Sequence, residues 1–262
     1  MTIGIDIRVL AQGAFTGVEE YTEGILGRLP RVSGTNYKLF YNAYRAADLA
    51  SIWTKRNDFE ICRRHFPNRL FFLTARMFNW PQIDEALGGA DVLWTPHFFP
   101  APVGKRAKKV ITFHDLSFER YPEFFSFKKK RWHNFFIDAR RQARAADRLI
   151  AVSNSTKSDL IDIYGIPEEK ITVIHSGVDE ILEPVHSLQE LARVKSRYSL
   201  PDRFILFIGT LEPRKNITGV IKSFDVLKRD SRFGDLKLVV AFAPGWSYGS
   251  IIRAAYDSPY AS

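Results

Sequence analysis

The stretch FILFIGTLEPRKN, from Phe204 to Asn216, joins an apolar run to a charged turn. The apolar half, bounded by Gly209, is typical of a strand buried on both faces of a parallel sheet. After the turn, apolar residues return at helical spacing between Ile217 and Leu227. The stretch therefore predicts a strand, a tight turn and a helix, the repeating unit of an open α/β sheet.

The turn from Gly209 to Lys215 is a candidate anion site. Open α/β sheets bind ligands beyond the carboxyl ends of their strands, which is where this turn is expected. Gly209 would let a ligand approach the backbone, Arg214 and Lys215 supply two positive charges, and a helix N-terminus follows. These features suit a diphosphate. A solvated turn explains the same charges equally well, so the motif alone leaves both interpretations open.

Length and composition indicate a globular protein. The chain has 262 residues, of which 45% are hydrophobic, enough for one large domain or two smaller ones. The first residues, MTIGIDIRVL, carry an acid and a base inside a strand pattern, unlike a signal peptide, and no apolar run is long enough to span a bilayer. We therefore expect a cytoplasmic protein. Because Cys62 is the single cysteine, an internal disulfide and a cysteine-based metal cluster are excluded, and we interpret Cys62 as structural.

Nearly all of the net charge of +9 lies between residues 101 and 150, a window that contains 13 basic and 5 acidic residues. Such a window can attract nucleic acid, anionic lipid or phosphorylated substrates. Aromatic residues are interleaved with these charges, which favours contact with an anionic membrane or a lipid-linked substrate, although they also suit the core face of a helix. No groove-reading helix motif or RNA-binding signature is present, so nucleic acid is not an expected partner.

The rest of the chain has the pattern of repeated strand and helix units. Thr16 and Glu19 have the spacing of a capping box, at the start of a helix that ends before Pro30. A long helix is predicted over 128–146, and another ends at Tyr164. The polar stretch 183–200 predicts a linker between a first domain over 1–182 and a second over 201–262. Further strands are predicted at 3–10, 37–44, 70–73, 92–95, 109–115, 149–152, 171–174 and 237–242.

Several polar residues follow predicted strands and are candidate ligand contacts. Gly17 would let a ligand approach a helix N-terminus, although a turn glycine before a capped helix explains it as well. His114 and Asp115 end the strand KVITFHD, where a histidine can contact a substrate hydroxyl; a satisfied structural histidine is the alternative. His97 lies in the rigid loop TPHFFPAP and Asn154 in the turn SNS. We interpret His97, Asp115 and Asn154 as candidate acceptor-side contacts.

Four loops carry a resemblance to a known family: TGVEEYT, VITFHDL, IAVSNSTKSDL with ITVIHSGVD, and FIGTLEPRKN. In this order and spacing they resemble the family 4 glycosyltransferases of the GT-B fold, especially the bacterial mannosyltransferase branch. The resemblance implies an α/β chain with a complete Rossmann-like acceptor-side domain with a parallel sheet over 1–182 and the first part of a Rossmann-like nucleotide-sugar-binding domain over 201–262. The family pattern continues past Ser262 to a paired-glutamate motif, so we expect a truncated transferase with weak or no activity.

The resemblance also implies roles for individual residues. Gly17 would lie at the donor phosphates, and His114 would be the catalytic residue that approaches the transferred sugar. Arg214 and Lys215, with Gly209, would bind the donor diphosphate. Because fixed positive charges can stabilise the leaving group in place of a metal ion, no metal and no other cofactor is expected.

The implied reaction is a retaining transfer of a hexosyl group, foremost mannose from GDP-mannose, to a lipid-linked or polysaccharide acceptor. Such a reaction belongs to cell-surface polysaccharide or lipopolysaccharide synthesis. Two alternatives stay open: a UDP-hexose-dependent transferase, and a non-catalytic module that binds the acceptor or a membrane. Peripheral contact with the inner face of the cytoplasmic membrane is the corresponding expectation for the basic window.

Overall fold

The computed structural model describes residues 1–12, 16–30, 32–44, 59–179 and 182–261. The chain forms two compact units, Met1–Asp179 and Glu180–Ser262. The first unit ends close to the predicted domain boundary at 182, and a helix occupies part of the stretch predicted as a linker. Among the described residues, no helix is both long and apolar enough to cross a membrane.

The first unit contains a seven-stranded parallel sheet with the order β3-β2-β1-β4-β5-β6-β7. The connections reverse direction between β1 and β4, and this reversal opens a crevice at the carboxyl ends of those strands. The predicted α/β fold with a parallel sheet is therefore confirmed. The strands are β1 (Thr2–Asp6), β2 (Asn36–Asn42), β3 (Phe59–Arg64), β4 (Val92–Thr95), β5 (Lys108–Phe113), β6 (Arg148–Ala151) and β7 (Ile171–Val173).

Helices connect these strands and pack on the sheet. The central strands contribute side chains with no exposed surface, among them Ile5, Leu93, Ile111 and Leu149. Strands covered on both faces need such apolar residues, which is why the sequence pattern located them. The helices of this unit are α1 (Gly17–Arg28), α2 (Asn68–Phe78), α3 (Ile83–Ala86), α4 (Ser117–Arg120), α5 (Phe127–Trp132), α6 (Ala139–Ala145) and α7 (Asn154–Tyr164).

The strand predicted at 70–73 is wrong, because these residues belong to α2. Phe71, Phe72 and Ala75 are buried, whereas Leu70 and Met77 are exposed, and this separation follows helical periodicity. A run of four apolar residues does not distinguish a strand from one side of a helix. The edge strand β3 was not predicted, since its sequence FEICRR is half charged and only partly buried.

The long helix predicted over 128–146 is interrupted. After α5 the chain forms a π-helical turn over His133–Ile137, and Asp138 has a φ of 49°. The Asp138 carboxylate accepts a hydrogen bond from the Arg141 backbone N–H at 3.2 Å and so begins α6 as a new helix. Asp tolerates this left-handed conformation better than most residues and is a good N-cap, which explains the break.

The predicted strands 3–10 and 109–115 are too long. The first ends at Asp6 and is followed by a 3-10 turn over Arg8–Gln12, and the second ends at Phe113. His114 and Asp115 therefore lie in the loop beyond β5. Strands 92–95, 149–152 and 171–174 are confirmed to within a residue or two of their predicted ends.

The second unit contains α8 (Leu188–Arg197), β8 (Phe204–Leu211), α9 (Ile217–Leu227), β9 (Lys237–Pro244) and α10 (Gly249–Tyr256). The two strands are parallel, and Phe204 pairs with Lys237. The predicted sequence of strand, turn and helix is confirmed. Gly209 is corrected from the head of the turn to the interior of β8, where it pairs with Phe242. A small core of Leu211, Ile217, Ile221 and Ile251 joins these elements.

Candidate active site

A buried ion pair organises the carboxyl end of β1, next to the reversal in strand order. Arg8 and Asp6 are 4% and 3% exposed, with Nη2 2.6 Å from Oδ2 and Nε 2.9 Å from Oδ1. The same Nη2 donates to the Pro100 carbonyl oxygen at 2.8 Å. Arg8 therefore fixes the loop after β4, which carries His97. Sequence reasoning did not assign this pair a role, although an acid and a base inside a strand pattern were its signal.

His114 lies directly after β5 and is mostly enclosed. Its Nε2 is 2.9 Å from the Pro96 carbonyl oxygen, and the Tyr21 ring stands edge-on to it at 4.8 Å. Because a carbonyl oxygen only accepts hydrogen bonds, Nε2 carries the proton, and in the neutral ring Nδ1 carries the lone pair. Burial lowers the pKa of His114, against the opposing effects of the Pro96 hydrogen bond and Asp115. The ring is therefore a neutral hydrogen-bond acceptor at Nδ1.

His97 lies close to His114, with 6.4 Å between the ring centroids. Its Nδ1 atom is buried and has no hydrogen-bond partner within the part of the chain that the structure describes. Burial, followed by the charges of His114 and His133, lowers the pKa of His97 to about 3. His97 is thus neutral at physiological pH, and the sheet brings these two predicted histidines together.

Asp115 and Asn154 both lie where a helix begins. The Asp115 carboxylate accepts hydrogen bonds from the Ser117 backbone N–H at 2.9 Å and from its hydroxyl at 2.7 Å, so it stabilises the turn into α4. Asn154 is exposed in the first turn of α7, whose N-cap is Ser153. A more informative contact comes from Thr156, whose hydroxyl donates to the His114 carbonyl oxygen at 3.0 Å. Helix α7 therefore fixes the backbone at His114, a contact that the sequence did not indicate.

Gly17 is the first residue of α1. The predicted capping box is confirmed, with the Thr16 backbone N–H donating to Glu19 Oε2 at 2.7 Å. A Cβ at Gly17 would meet no atom within 4 Å, so the backbone is open to approach there. Gly17 lines a cavity of about 550 Å³ with Tyr21 and Gly177, between α1 and the loop after β7.

Arg214 and Lys215 form a 3-10 turn after β8 in the second unit. Arg214 Nε makes an ion pair with Glu212, which is buried, while both basic residues are exposed. The two predicted diphosphate contacts therefore differ, because the charge of Arg214 is partly balanced by Glu212. The sequence placed an acid directly before Pro213 but did not indicate that this acid would be buried.

Within the described residues, no group of three or more His, Cys, Asp or Glu side chains is placed to hold a metal ion. The use of fixed cations in place of a metal ion stays a prediction. The first unit brings His97, His114 and Tyr21 together, and the second unit carries Gly209, Arg214 and Lys215.

Comparison with known proteins matches the Glycosyltransferase Family 4 model over residues 4–181. The serotype-specific mannosyltransferase WbdA of Escherichia coli is 31% identical over 128 residues, which are 46% of this chain and 15% of that protein. The O-antigen chain mannosyltransferase B of Escherichia coli is 28% identical over 152 residues, 58% of this chain and 38% of that protein. The chain therefore spans well under half the length of these relatives.

Solved structures share the fold at low sequence identity. Anabaena Alr3699/HepE, determined in complex with UDP and glucose, aligns with a TM-score of 0.60 and 17% identity over 96% of this chain and 63% of that chain. A UDP-forming α,α-trehalose-phosphate synthase from Burkholderia vietnamiensis aligns with a TM-score of 0.56 and 14% identity over 97% and 69% of the two chains.

Proposed function

Because the chain belongs to glycosyltransferase family 4 and has the GT-B fold, we propose that it serves to transfer a mannosyl group from a nucleotide-diphospho-sugar to a saccharide acceptor. The observation that carries this proposal is the enclosed, neutral His114 at the carboxyl edge of the sheet, beside His97, in the unit that the family model matches. Similarity to two mannosyltransferases supports the choice of sugar.

In the proposed reaction His114 contacts the transferred sugar. Its Nδ1 lone pair can accept a hydrogen bond from a sugar hydroxyl, while Nε2 stays bonded to Pro96. Lys215 and Arg214 would bind the diphosphate and stabilise the negative charge that develops on it. The bond from the anomeric carbon to the diphosphate oxygen breaks, and the acceptor oxygen bonds to the same face of that carbon. The acceptor proton passes to the departing diphosphate, and the fixed charges of Lys215 and Arg214 would take the place of a metal ion.

The donor has two candidates. GDP-mannose follows from the mannosyltransferase relatives, and a UDP-hexose is the second candidate because Alr3699/HepE was solved with UDP and glucose. The acceptor we propose is a polysaccharide or lipid-linked saccharide, as in O-antigen synthesis. Thermal-shift measurements with GDP-mannose and with UDP-glucose distinguish the donors, since binding to the folded state raises the unfolding temperature.

The direct test is transfer of radiolabelled sugar from each donor to a mannan oligosaccharide. We expect His114→Ala to lower transfer at least about a hundredfold, because the Nδ1 hydrogen-bond acceptor at the reacting centre is lost. His186→Ala is the matched control, since His186 is exposed in the second unit, and should transfer at the wild-type rate. If neither donor binds nor reacts, the proposed function is wrong.

We further propose that the basic window contacts an anionic membrane through an aromatic and basic surface. Its exposed aromatic residues are Tyr121, Phe127 and Phe135, whose exposed fractions are 48%, 74% and 53%. Arg131 lies over the Phe127 ring at 5.9 Å. Trp132 and Phe136 instead stack on each other and pack against the core. The aromatic residues are thus divided between core and surface, and aromatic rings beside cations suit a lipid headgroup region.

Vesicle sedimentation tests this contact. We expect the protein to sediment at low salt with vesicles of phosphatidylcholine and phosphatidylglycerol but not with phosphatidylcholine alone, because the attraction requires anionic lipid. The double variant Phe127→Ser with Phe135→Ser should reduce sedimentation, whereas Tyr256→Ser, also highly exposed, should not. Binding to neither vesicle excludes the membrane role. Membrane binding without any sugar transfer would favour the non-catalytic alternative.

A further inference from the structure

A second cavity, which we call the β3 pocket, lies beside the edge strand β3 and has a volume of about 550 Å³. Its wall includes buried aromatic residues from β2 and α2, polar side chains at the end of β3 and in α3, and an exposed tryptophan after α2. None of these residues belongs to the candidate active site. Among the residues that line the pocket are Phe40, Arg64, His65, Phe71, Trp80 and Glu85.

The pocket has a rigid framework. Asn42 has no exposed surface; its Nδ2 donates to the Phe66 carbonyl oxygen at 2.9 Å and to Asn68 Oδ1 at 2.8 Å. Its Oδ1 accepts from the Phe66 backbone N–H at 2.9 Å. The Phe66 ring then supports Trp80 edge-to-face, with 6.0 Å between centroids. Trp80 is therefore held in place while 52% of it stays exposed.

The polar side chains of the pocket include both hydrogen-bond donors and a carboxylate acceptor. Arg64 and His65 can donate hydrogen bonds and Glu85 can accept them; all three are exposed. Their side chains make no hydrogen bond or ion pair to another described residue. A phosphate would be repelled by the Glu85 carboxylate, and an acyl chain would desolvate all three polar groups without replacing their hydrogen bonds. A sugar presents hydroxyl groups that donate and accept, and an apolar face that fits an aromatic ring.

Arg8 connects the pocket to the candidate active site. Its guanidinium carbon lies 4.4 Å from the Phe71 ring centroid and 5.9 Å from that of Phe40, and both rings line the pocket. The same guanidinium donates to Pro100 in the loop that carries His97. One buried side chain therefore contacts both the wall of the pocket and this loop.

We propose that the β3 pocket binds a sugar unit of the acceptor saccharide, distinct from the unit that receives the transferred sugar. Trp80 provides the stacking surface, and Arg64, His65 and Glu85 bind hydroxyl groups. This inference rests on the proposed function and identifies where a longer acceptor is recognised.

The test measures binding of mannotriose to the full chain without donor, by saturation-transfer NMR and titration. Trp80→Ala should weaken binding about tenfold, because an aromatic contact of this kind contributes roughly one factor of ten. Trp80→Phe should retain most of the affinity, and Glu85→Gln should weaken it. Phe78→Ala is the matched control, since Phe78 is 70% exposed on α2 and does not line the pocket.

Unchanged affinity in Trp80→Ala, with the wild-type circular dichroism spectrum, would overturn the inference. So would competition by inorganic phosphate or by lipid vesicles that displaces mannotriose completely. The result is separable from the proposed function. Saccharide binding that depends on Trp80 without any transfer would contradict only the function, whereas transfer with an unchanged acceptor KM in Trp80→Ala would contradict only the pocket.

Discussion

Arg214 and Lys215 are neighbours with the same charge, yet their surroundings give them different roles. The Arg214 side chain is 34% exposed and pairs with Glu212, whose side chain is 3% exposed. Lys215 is exposed, and no hydrogen bond from its side chain is seen among the residues that the structure describes. A change at Arg214 therefore acts on the fold as well as on ligand binding.

We expect Lys215→Met to weaken GDP-mannose binding about tenfold, because a charge-assisted hydrogen bond to phosphate is lost, and to leave unfolding unchanged within about 0.5 kcal/mol. Arg214→Met should weaken binding and also lower the free energy of unfolding by about 2 kcal/mol, since the buried Glu212 loses its ion pair with Arg214. Isothermal calorimetry and urea unfolding measure the two effects. Equal stability of both variants would contradict this distinction.

His97 makes the first unit sensitive to acid. Its pKa is about 3 in the fold and 6.5 in an unfolded chain, so below pH 6.5 the unfolded state binds a proton that the native ring does not. The contribution of the neutral His97 ring to the free energy of unfolding is complete above pH 6.5. It decreases as the pH falls towards 3, and about 2 kcal/mol is lost by pH 5. His97→Phe should lose less stability than wild type between pH 7.5 and 5, measured by urea unfolding. If the free energy of unfolding decreases equally in the variant and in the wild type, this prediction is wrong.

At the scale of the element, the first turn of α7 supports the backbone of His114. Ser153 Oγ accepts from the Thr156 backbone N–H at 3.0 Å and lies 3.0 Å from the Thr156 hydroxyl. That hydroxyl donates to the His114 carbonyl oxygen. The cap of one helix therefore contributes to the geometry at the end of β5.

We predict that Ser153→Ala lowers the free energy of unfolding by about 1 kcal/mol, the usual value of an N-cap. It should also shift the NMR resonances of the His114 ring. Ser155→Ala, two residues further along the same helix, is exposed and should change the stability by no more than about 0.5 kcal/mol. If Ser153→Ala leaves the His114 resonances in place, the helix cap does not position this residue.

Elements were predictable where one local signal decided them. The helix over 217–227 and the capping box of Thr16 and Glu19 follow from periodicity and from the pairing of two side chains, and both are confirmed. The run 70–73 failed because four apolar residues fit either a strand or a helix. The break at Asp138 was not predicted, because the helical pattern of the sequence continues across it.

At the scale of the whole molecule, the two units differ in the amount of buried apolar surface. The first has a large cluster built on the central strands of its seven-stranded sheet, whereas the cluster described in the second contains four buried residues. Because local stability depends on buried apolar contacts and protected backbone hydrogen bonds, the units should open with different free energies.

We expect amide hydrogen exchange to be slowest in β1, β4 and β5 and faster in β8 and β9. Mass spectrometry of the full chain at neutral pH measures both sets of peptides in one experiment. The contrast should persist at higher pH once the faster intrinsic exchange is taken into account. Protection of β8 equal to that of β1 would show that the second unit is as stable as the first.

The sequence by itself determined the α/β class, most of the parallel strands, the family and the individual loops that carry Gly17, His114, Arg214 and Lys215. These depend on local signals, since strand burial, helical spacing and loop motifs are written along the chain. Only the tertiary structure decided which side chains contact each other. The ion pair of Asp6 with Arg8, the pairing of Arg214 with Glu212 and the β3 pocket arise from packing, and a side chain's partner across a fold leaves no periodic trace in the sequence.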